Sequence, residues 1–366
     1  ALSLLAACGG TPASAPSAQP GAASAPASAA ANTELQTIID GARKEGQLSL
    51  VFGEGTMGGT EAINQLAVGF NKAYGLNLKI QFTPGVDMVA MAAKTVEEAQ
   101  AKKQATSDLY VGYDTQINTI SRADALEPVD WANWAPNLIK PGMVAPDGLA
   151  VTFESSLPGI VYNSQKFTGD AVPKTLQDLL QPRYKGQLAS TPYASSFDRL
   201  STPEVWGKDK TLDFATKYAS QLAGLIRCNE MERIASGEFP IFAVSCSQNG
   251  GLSARAKGEP VDFEIAADYP MIMYLYLGVP RTSAHPNAAK LWVNYLLSRP
   301  AQDILYKYDF QDSHLVDGSQ TATLIDKMQS QGVKFYLDNL EFYRSHDEKE
   351  LQSVVAQVVK IFQSTH

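Results

Sequence analysis

From Gln47 onward short apolar runs alternate with helical stretches, and no other feature constrains the fold as much. Leu48, Leu50, Val51 and Phe52 form an apolar run too short for a helix and bounded by Gly46 and Gly53, which predicts a buried strand. A turn with Gly53, Gly55, Gly58 and Gly59 follows, and Thr60 is placed to cap a helix over 60–74 that Gly75 ends. A strand over 76–82, a helix over 86–103, a strand over 108–112 and a helix over 114–123 continue the pattern. Strand and helix in alternation give an α/β fold with a mostly parallel sheet, in which ligands sit at the carboxyl ends of strands. That rule puts the 53–59 turn and the pair Tyr113-Asp114 on one rim. Glycine lets backbone N–H groups approach a polar or anionic group, and a helix start leaves N–H groups unpaired. The turn has neither the Lys-Ser/Thr of a phosphate-binding loop nor GxGxxG spacing, so a plain strand-to-helix connection stays open beside the binding reading.

The first residues set the compartment. ALSLLAACGG is a short apolar stretch ending in small residues before Cys8, which reads as the end of a signal peptide. It resembles a bacterial lipobox, and the resemblance implies cleavage before Cys8 and lipid attachment there. Residues 9–32 are almost only Ala, Ser, Pro, Gly and Thr, a composition that builds no core and predicts a disordered tether. No later run is long enough to span a bilayer, so the expected body is extracytoplasmic and held near a membrane by its lipid.

Residues 33–366 exceed one small core and suit two domains. A net charge of -8 and the lack of a Lys/Arg run argue against a nucleic-acid partner. His285, His314, His346 and His366 are scattered without metal-ligand spacing, and no GxSxG or HExxH motif is present. No cofactor or metal is expected. Cys228 and Cys246 are a candidate disulfide in an oxidising compartment, or two separate buried thiols.

In the second half, two extended runs over 149–162 flank Pro158-Gly159 and read as strands leaving the first domain. Helices are expected over 175–180, 212–223, 231–236, 287–298 and 300–308, with a largely helical tail from 319. Strands are expected over 187–190 and 239–245, with an extended stretch over 262–266 and a long apolar run over 271–279. Trp131 and Trp134 lie in a stretch interrupted by Pro and Asn and read as a surface-packed loop cluster rather than a ligand cage.

Four runs resemble one family. They are Lys44-Glu45-Gly46-Gln47-Leu48; Pro173 to Leu180 followed by Tyr184 to Leu188; Ser236 to Ile241; and His285 to Trp292 with Leu296-Leu297-Ser298 and Gln302. Together they resemble the solute-binding proteins of bacterial ABC importers, in the branch that includes ferric-iron, thiamine and spermidine binders. The last run is the most specific. The resemblance implies a two-lobe periplasmic-binding-protein (type II) fold, each lobe a mixed, mostly parallel sheet flanked by helices, joined by two crossover strands acting as a hinge. It assigns residues 33–150 and 270–366 to one lobe and 151–269 to the other. It implies a small-molecule solute, a membrane permease as partner and a monomer that acts by hinge closure. The chain departs from the iron-binding members, which carry adjacent tyrosines after the Gly-Glu-x-Pro strand. Here that stretch, residues 243–249, holds no tyrosine. This favours a small organic, phosphorylated or carboxylated solute over bare ferric iron, with an iron-binding or iron-chelate protein as the alternative.

The strand-end rule selects the ligand-binding candidates Gly55, Thr56, Gly58, Gly59, Tyr113, Asp114, Ser155, Tyr193, Ser195, Ser196, Arg199, Ser247, Gln248, Asn249, Asp268 and Tyr269. Arg199 is the cation expected to face the cleft, where a guanidinium fork suits a carboxylate or phosphate. A surface salt bridge to Asp198 or Glu204 is its competing reading. Asp114 and Asp268 suit an amine or a helix cap. Tyr193 and Tyr269 suit stacking or edge packing. An extracytoplasmic hydrolase and a ligand sensor are the remaining alternatives; no nucleophile has a base at a recognisable spacing, so an enzyme is not expected.

Overall fold

The computed structural model describes residues 25–135 and 140–365. Cys8 and the tether up to residue 24 lie outside the described residues. Helix α1 spans Ala25–Glu45, so residues 25–32, expected as tether, are helical. Alanine has the highest helix propensity, and Pro26 falls in the first turn, where its missing N–H costs nothing. The chain continues through β1 (Gln47–Phe52), α2 (Gly59–Tyr74), β2 (Lys79–Pro84), α3 (Met88–Gln100), β3 (Tyr110–Tyr113), α4 (Asp114–Arg122), α5 (Trp131–Trp134) and β4 (Val151–Ser156). Strands β1 and β2 pair in parallel. The expected cap Thr60 lies inside α2; the N-cap is Gly58, in the left-handed conformation at φ 75°. Trp131 and Trp134 are buried in the first core, and the Trp131 indole donates to the Gly148 carbonyl at 3.1 Å, which corrects the surface-loop reading.

A second body follows: β5 (Ile160–Asn163), β6 (Leu188–Ser190), α6 (Phe197–Leu200), α7 (Lys208–Ala219), β7 (Leu222–Leu225), α8 (Met231–Ala235), β8 (Ile241–Ala243), α9 (Asn249–Ala256) and β9 (Val261–Glu264). These strands form one mixed sheet in the order β7-β6-β8-β5-β9. The chain then returns through β10 (Met271–Gly278), α10 (Pro286–Leu296), α11 (Arg299–Asp309), α12 (Gln320–Ser330), β11 (Tyr336–Asp338), α13 (Leu340–Arg344) and α14 (Glu348–Gln363). Strand β10 pairs with β3 and β4 antiparallel and with β11 in parallel.

Strand periodicity distributes the cores. Alternate residues of a strand point to opposite faces. Leu275 and Leu277 of β10 join the core built on α1, α2, α10 and α11, whereas Ile272, Tyr274 and Tyr276 join the core under α3 and α4. In the second body, Ile160 and Tyr162 of β5 face one core and Val161 faces the other.

The chain passes between the two sheets through residues 157–159 and 265–270. Strand β4 pairs with β10 and therefore belongs to the first sheet, so the passage falls after Ser156 rather than at 151. The last helix departs further from expectation. Val354, Val358 and Phe362 of α14 are buried in the core with Phe197, Phe214 and Tyr218, so the C-terminal helix packs on the second body and makes a third passage. Its apolar stripe recurs at helical spacing, and such a stripe does not say which core it covers.

Candidate functional site

Between the two bodies lies a cavity of about 800 Å³. Its first wall is the 53–56 turn with Asp87, Met88 and Val89 at the start of α3, and its second is Tyr193, Arg227, Asn229 and Ser247. A second cavity of about 620 Å³ adjoins it and shares Val89, Tyr113, Tyr193 and Cys246. The loops in question follow β1, β3, β6, β7 and β8, as expected where strand ends converge.

The glycine turn divides: Gly53, Gly55 and Thr56 line the first cavity, whereas Met57 and Gly58 face the end of α11. A short helical turn over Thr56–Gly58 places Met57 at φ 57° and Gly58 at φ 75°. The Asp309 carboxylate at the end of α11 lies beside the backbone N–H groups of Met57 and Gly58, which favour its charged form. A Cβ on Gly58 would lie 2.6 Å from Tyr308 Cβ, so glycine is required by this close approach. The anion at the turn is thus one of the protein's own. Asp309 accepts from Asn249 Nδ2 of the second body at 3.0 Å, so one carboxylate bridges the two bodies. Burial pushes its carboxyl up to about 7.

Arg199 is not the free cleft cation. Its guanidinium is buried and donates to Asp114, Asp198 and, at 2.9 Å, Asp338. Burial opposes its charge, but the three carboxylates hold it protonated well above the usual range. Burial raises the Asp114 and Asp338 carboxyls. Removing one member of such a buried cluster costs several kcal/mol, which makes it a structural joint between α4, α6 and β11. The surface-salt-bridge reading is also corrected: the Asp198 pair is buried, and Glu204 pairs with His346 at 2.9 Å. Glu154 of β4 is fully buried, and its carboxyl oxygens find no hydrogen-bond partner among the described residues. Burial, with Asp309 and Asp312 nearby, raises its carboxyl well above the usual range.

The other expected residues divide in the same way. Gly55, Thr56, Tyr113, Tyr193, Ser247 and Asn249 line the first cavity, and Ser195 and Ser196 line the second. Gly58 and Gly59 line a neighbouring depression with Asn229 and Tyr308. Asp114 is withdrawn from the cleft by Arg199. Ser155 is buried, its hydroxyl 2.6 Å from His314 Nδ1. Gln248 is buried at a passage between the bodies, accepting from Leu157 N at 2.7 Å. Asp268 accepts from the backbone of Leu176 at 2.8 Å and Gln177 at 3.2 Å, anchoring a loop of the second body. Tyr269 is a core residue with 0% exposure. Cys228 and Cys246 are joined by a disulfide, with Cα atoms 6.0 Å apart, on the wall of the first cavity.

Sequence reasoning missed Arg227. Its side chain is exposed on the cavity wall and makes no ion pair among the described residues; its backbone alone is engaged, the N–H donating to the Glu230 carboxylate and the carbonyl accepting from Glu230 N. The reading of 212–223 as one helix hid β7, and with it the strand end that Arg227 follows. Asp309 and Gln311 were also missed; they reach the cleft from the end of α11, where the strand-end rule has nothing to say.

Two α/β bodies facing across a cleft of mixed polar and apolar lining have the architecture of a two-lobed binding protein. The chain belongs to the bacterial extracellular solute-binding protein family, whose model matches residues 120–323. That membership places the folded body outside the cytoplasm. Among the described residues no helix is long and apolar enough to cross a membrane. No curated protein matches the sequence. Solved structures share the fold. The substrate binding protein of an ABC transporter from Agrobacterium tumefaciens aligns with TM-score 0.70 and 17% identity, over 88% of this chain and 96% of that one. The periplasmic binding protein AfuA from Actinobacillus pleuropneumoniae, with fructose-6-phosphate bound, aligns with TM-score 0.66 and 16% identity, over 87% of this chain and 98% of that one. Iron-bound HitA from Pseudomonas aeruginosa aligns with TM-score 0.61 and 16% identity, over 87% and 99%.

Proposed function

We propose that this chain is the capture component of an ABC importer. It is anchored by lipid at Cys8, closes two lobes around one small organic solute and presents it to a membrane permease. The first lobe comprises residues 33–156 and 271–347; the second comprises 157–264 and the C-terminal helix. The passages at 157–159 and 265–270 form the hinge, and α14 guides the motion. The solute carries a phosphate or carboxylate. The observation that carries this reading is Arg227, an unpaired guanidinium on the cleft wall opposite the 53–56 turn. The ABC-transporter protein of Agrobacterium tumefaciens and the fructose-6-phosphate complex of AfuA are consistent with it. Bare ferric iron is disfavoured: among the described residues no His/Cys/Asp/Glu group has the arrangement of a metal site, and residues 243–249 hold no tyrosine.

A thermal-shift screen of purified Cys8→Ser protein tests it. The panel is phosphorylated and carboxylated small molecules, ferric iron, ferric citrate, thiamine and polyamines. A ligand at 100 times its Kd adds about 2.7 kcal/mol, a visible rise in Tm. The expected outcome is a rise with a phosphorylated or carboxylated solute. A rise with ferric iron or polyamines alone would overturn the ligand class while leaving solute capture in place.

A further inference from the structure

The cleft is two chambers in series, and their chemistry differs. Charge without an ion pair sits in the first chamber, on Arg227, Glu54 and Asp87, with the buried Asp309 at its edge; among the described residues Arg227 is the one cation in the lining. A phosphate or carboxylate group fills only a small part of its 800 Å³. In the second chamber the charged side chains are Asp198 and Arg199, both engaged in the buried cluster in which Arg199 pairs with three carboxylates. One wall there is the apolar face of α3, with Val89, Ala92 and Ala93. The rest of the lining carries hydroxyl and amide groups, Ser195 and Ser196 from the second body and Gln116 from α4 beside α3. The Ser195 hydroxyl makes no hydrogen bond among the described residues, and Gln116 uses only Oε1, which accepts from Tyr113 N at 3.1 Å. Tyr113 and Tyr193 stand where the chambers meet.

An ion entering the second chamber would leave water without gaining a free counter-charge, which is costly. A neutral group with one apolar face and a few hydroxyls matches this lining. The geometry points to a two-part solute: an anionic head held at Arg227 in the first chamber and an uncharged, hydroxylated body in the second. This rests on the anionic-solute reading above and adds the class of the rest of the molecule. Burial raises the Tyr193 hydroxyl, and its partner on Cys228 and the nearby Arg227 oppose that rise. Tyr193 is therefore a neutral, half-exposed ring at the waist, suited to packing on a solute that passes from one chamber to the other.

Isothermal titration calorimetry with three probes separates the claims: inorganic phosphate as head alone, ribose as body alone, and ribose 5-phosphate as both. Three proteins are compared: wild type, Arg227→Gln and Ala93→Trp. Ala93 is exposed on α3, so the indole fills the second chamber without disturbing a core. Circular dichroism confirms folding, and Gln116→Ala removes an amide from the same chamber by a milder change. Ribose 5-phosphate should bind wild type at least about tenfold more tightly than phosphate. Ala93→Trp should abolish that excess, Gln116→Ala should reduce it, and both should leave phosphate affinity unchanged. Arg227→Gln should weaken both phosphate-bearing probes about tenfold or more. If ribose 5-phosphate gains nothing over phosphate, or Ala93→Trp leaves it unaffected, the two-part inference falls while Arg227-dependent phosphate binding keeps the anionic reading. If Arg227→Gln weakens neither, or wild type binds none of the three, both fall.

Discussion

Arg199 and Arg227 carry the same side chain into opposite roles. Arg199 donates from Nε, Nη1 and Nη2 to carboxylates from three elements, two of them in the first lobe, and from Nη2 also to the Thr115 hydroxyl. Arg227 keeps its guanidinium in solvent at the cleft. Asp309 raises the same question for an acid. Its carboxyl, raised to about 7 by burial, binds a proton in the folded chain that the unfolded chain has released above pH about 4. Stability therefore falls as pH rises from about 4 through about 7 on account of this group. His314 opposes it: burial lowers it to about 4, so its contribution is present above about 6.5 and lost as pH falls toward 4. Asp309→Asn keeps an acceptor for the turn and removes only the first slope. Thermal melts should show the variant gaining about 1–3 kcal/mol over wild type at pH 8 and losing that advantage at pH 5. A difference that does not change with pH would refute the assignment. Only the Asp198 partner of Arg199 is legible in sequence; the rest of these environments is set by groups tens to hundreds of residues away.

At the scale of elements, the strand–turn–helix unit at 47–74 was legible because its apolar run, glycines and helical stripe are local signals. What the turn does was not. Its Met57–Gly58 end lies beside Asp309, some 250 positions away, so Gly58 serves close packing against α11 and the anion next to that end is internal. Helix α14 makes the same point in packing. Its stripe was readable, but the core it covers was set by where the preceding chain leaves it. Phe362 is 0% exposed and meets Phe197 edge-on at 5.5 Å. Phe362→Ala should cost about 3–5 kcal/mol. Calorimetry should show a lowered or split transition, because the damaged core belongs to the second lobe; an unchanged melt would mean that α14 does not hold that core together.

At the scale of the molecule, the cleft is spanned on three sides. Gln248 bonds to Leu157 N beside one passage, Asn249 reaches Asp309 across the floor, and the Arg199 cluster ties α6 to α4 and β11. The proposed closure would pivot about these links rather than break them. Small-angle scattering should show a smaller radius of gyration when the solute found by the thermal screen is added, and Gln248→Ala should change the size of that difference. An identical scattering curve with saturating solute would count against closure.

Sequence by itself determined the α/β class, the strand ends that build the cleft, and the run from His285 to Gln302 that resembles its family. These survive because periodicity, turn residues and strand-end placement are properties of neighbouring residues. Only the tertiary structure decided which arginine is free, that Asp309 lies beside one end of the glycine turn, that two chambers adjoin, and that the last helix crosses to the second lobe. Those outcomes depend on which distant carboxylates reach a guanidinium and which core lacks a cover, and charge pairing and burial are settled only when the whole chain is packed.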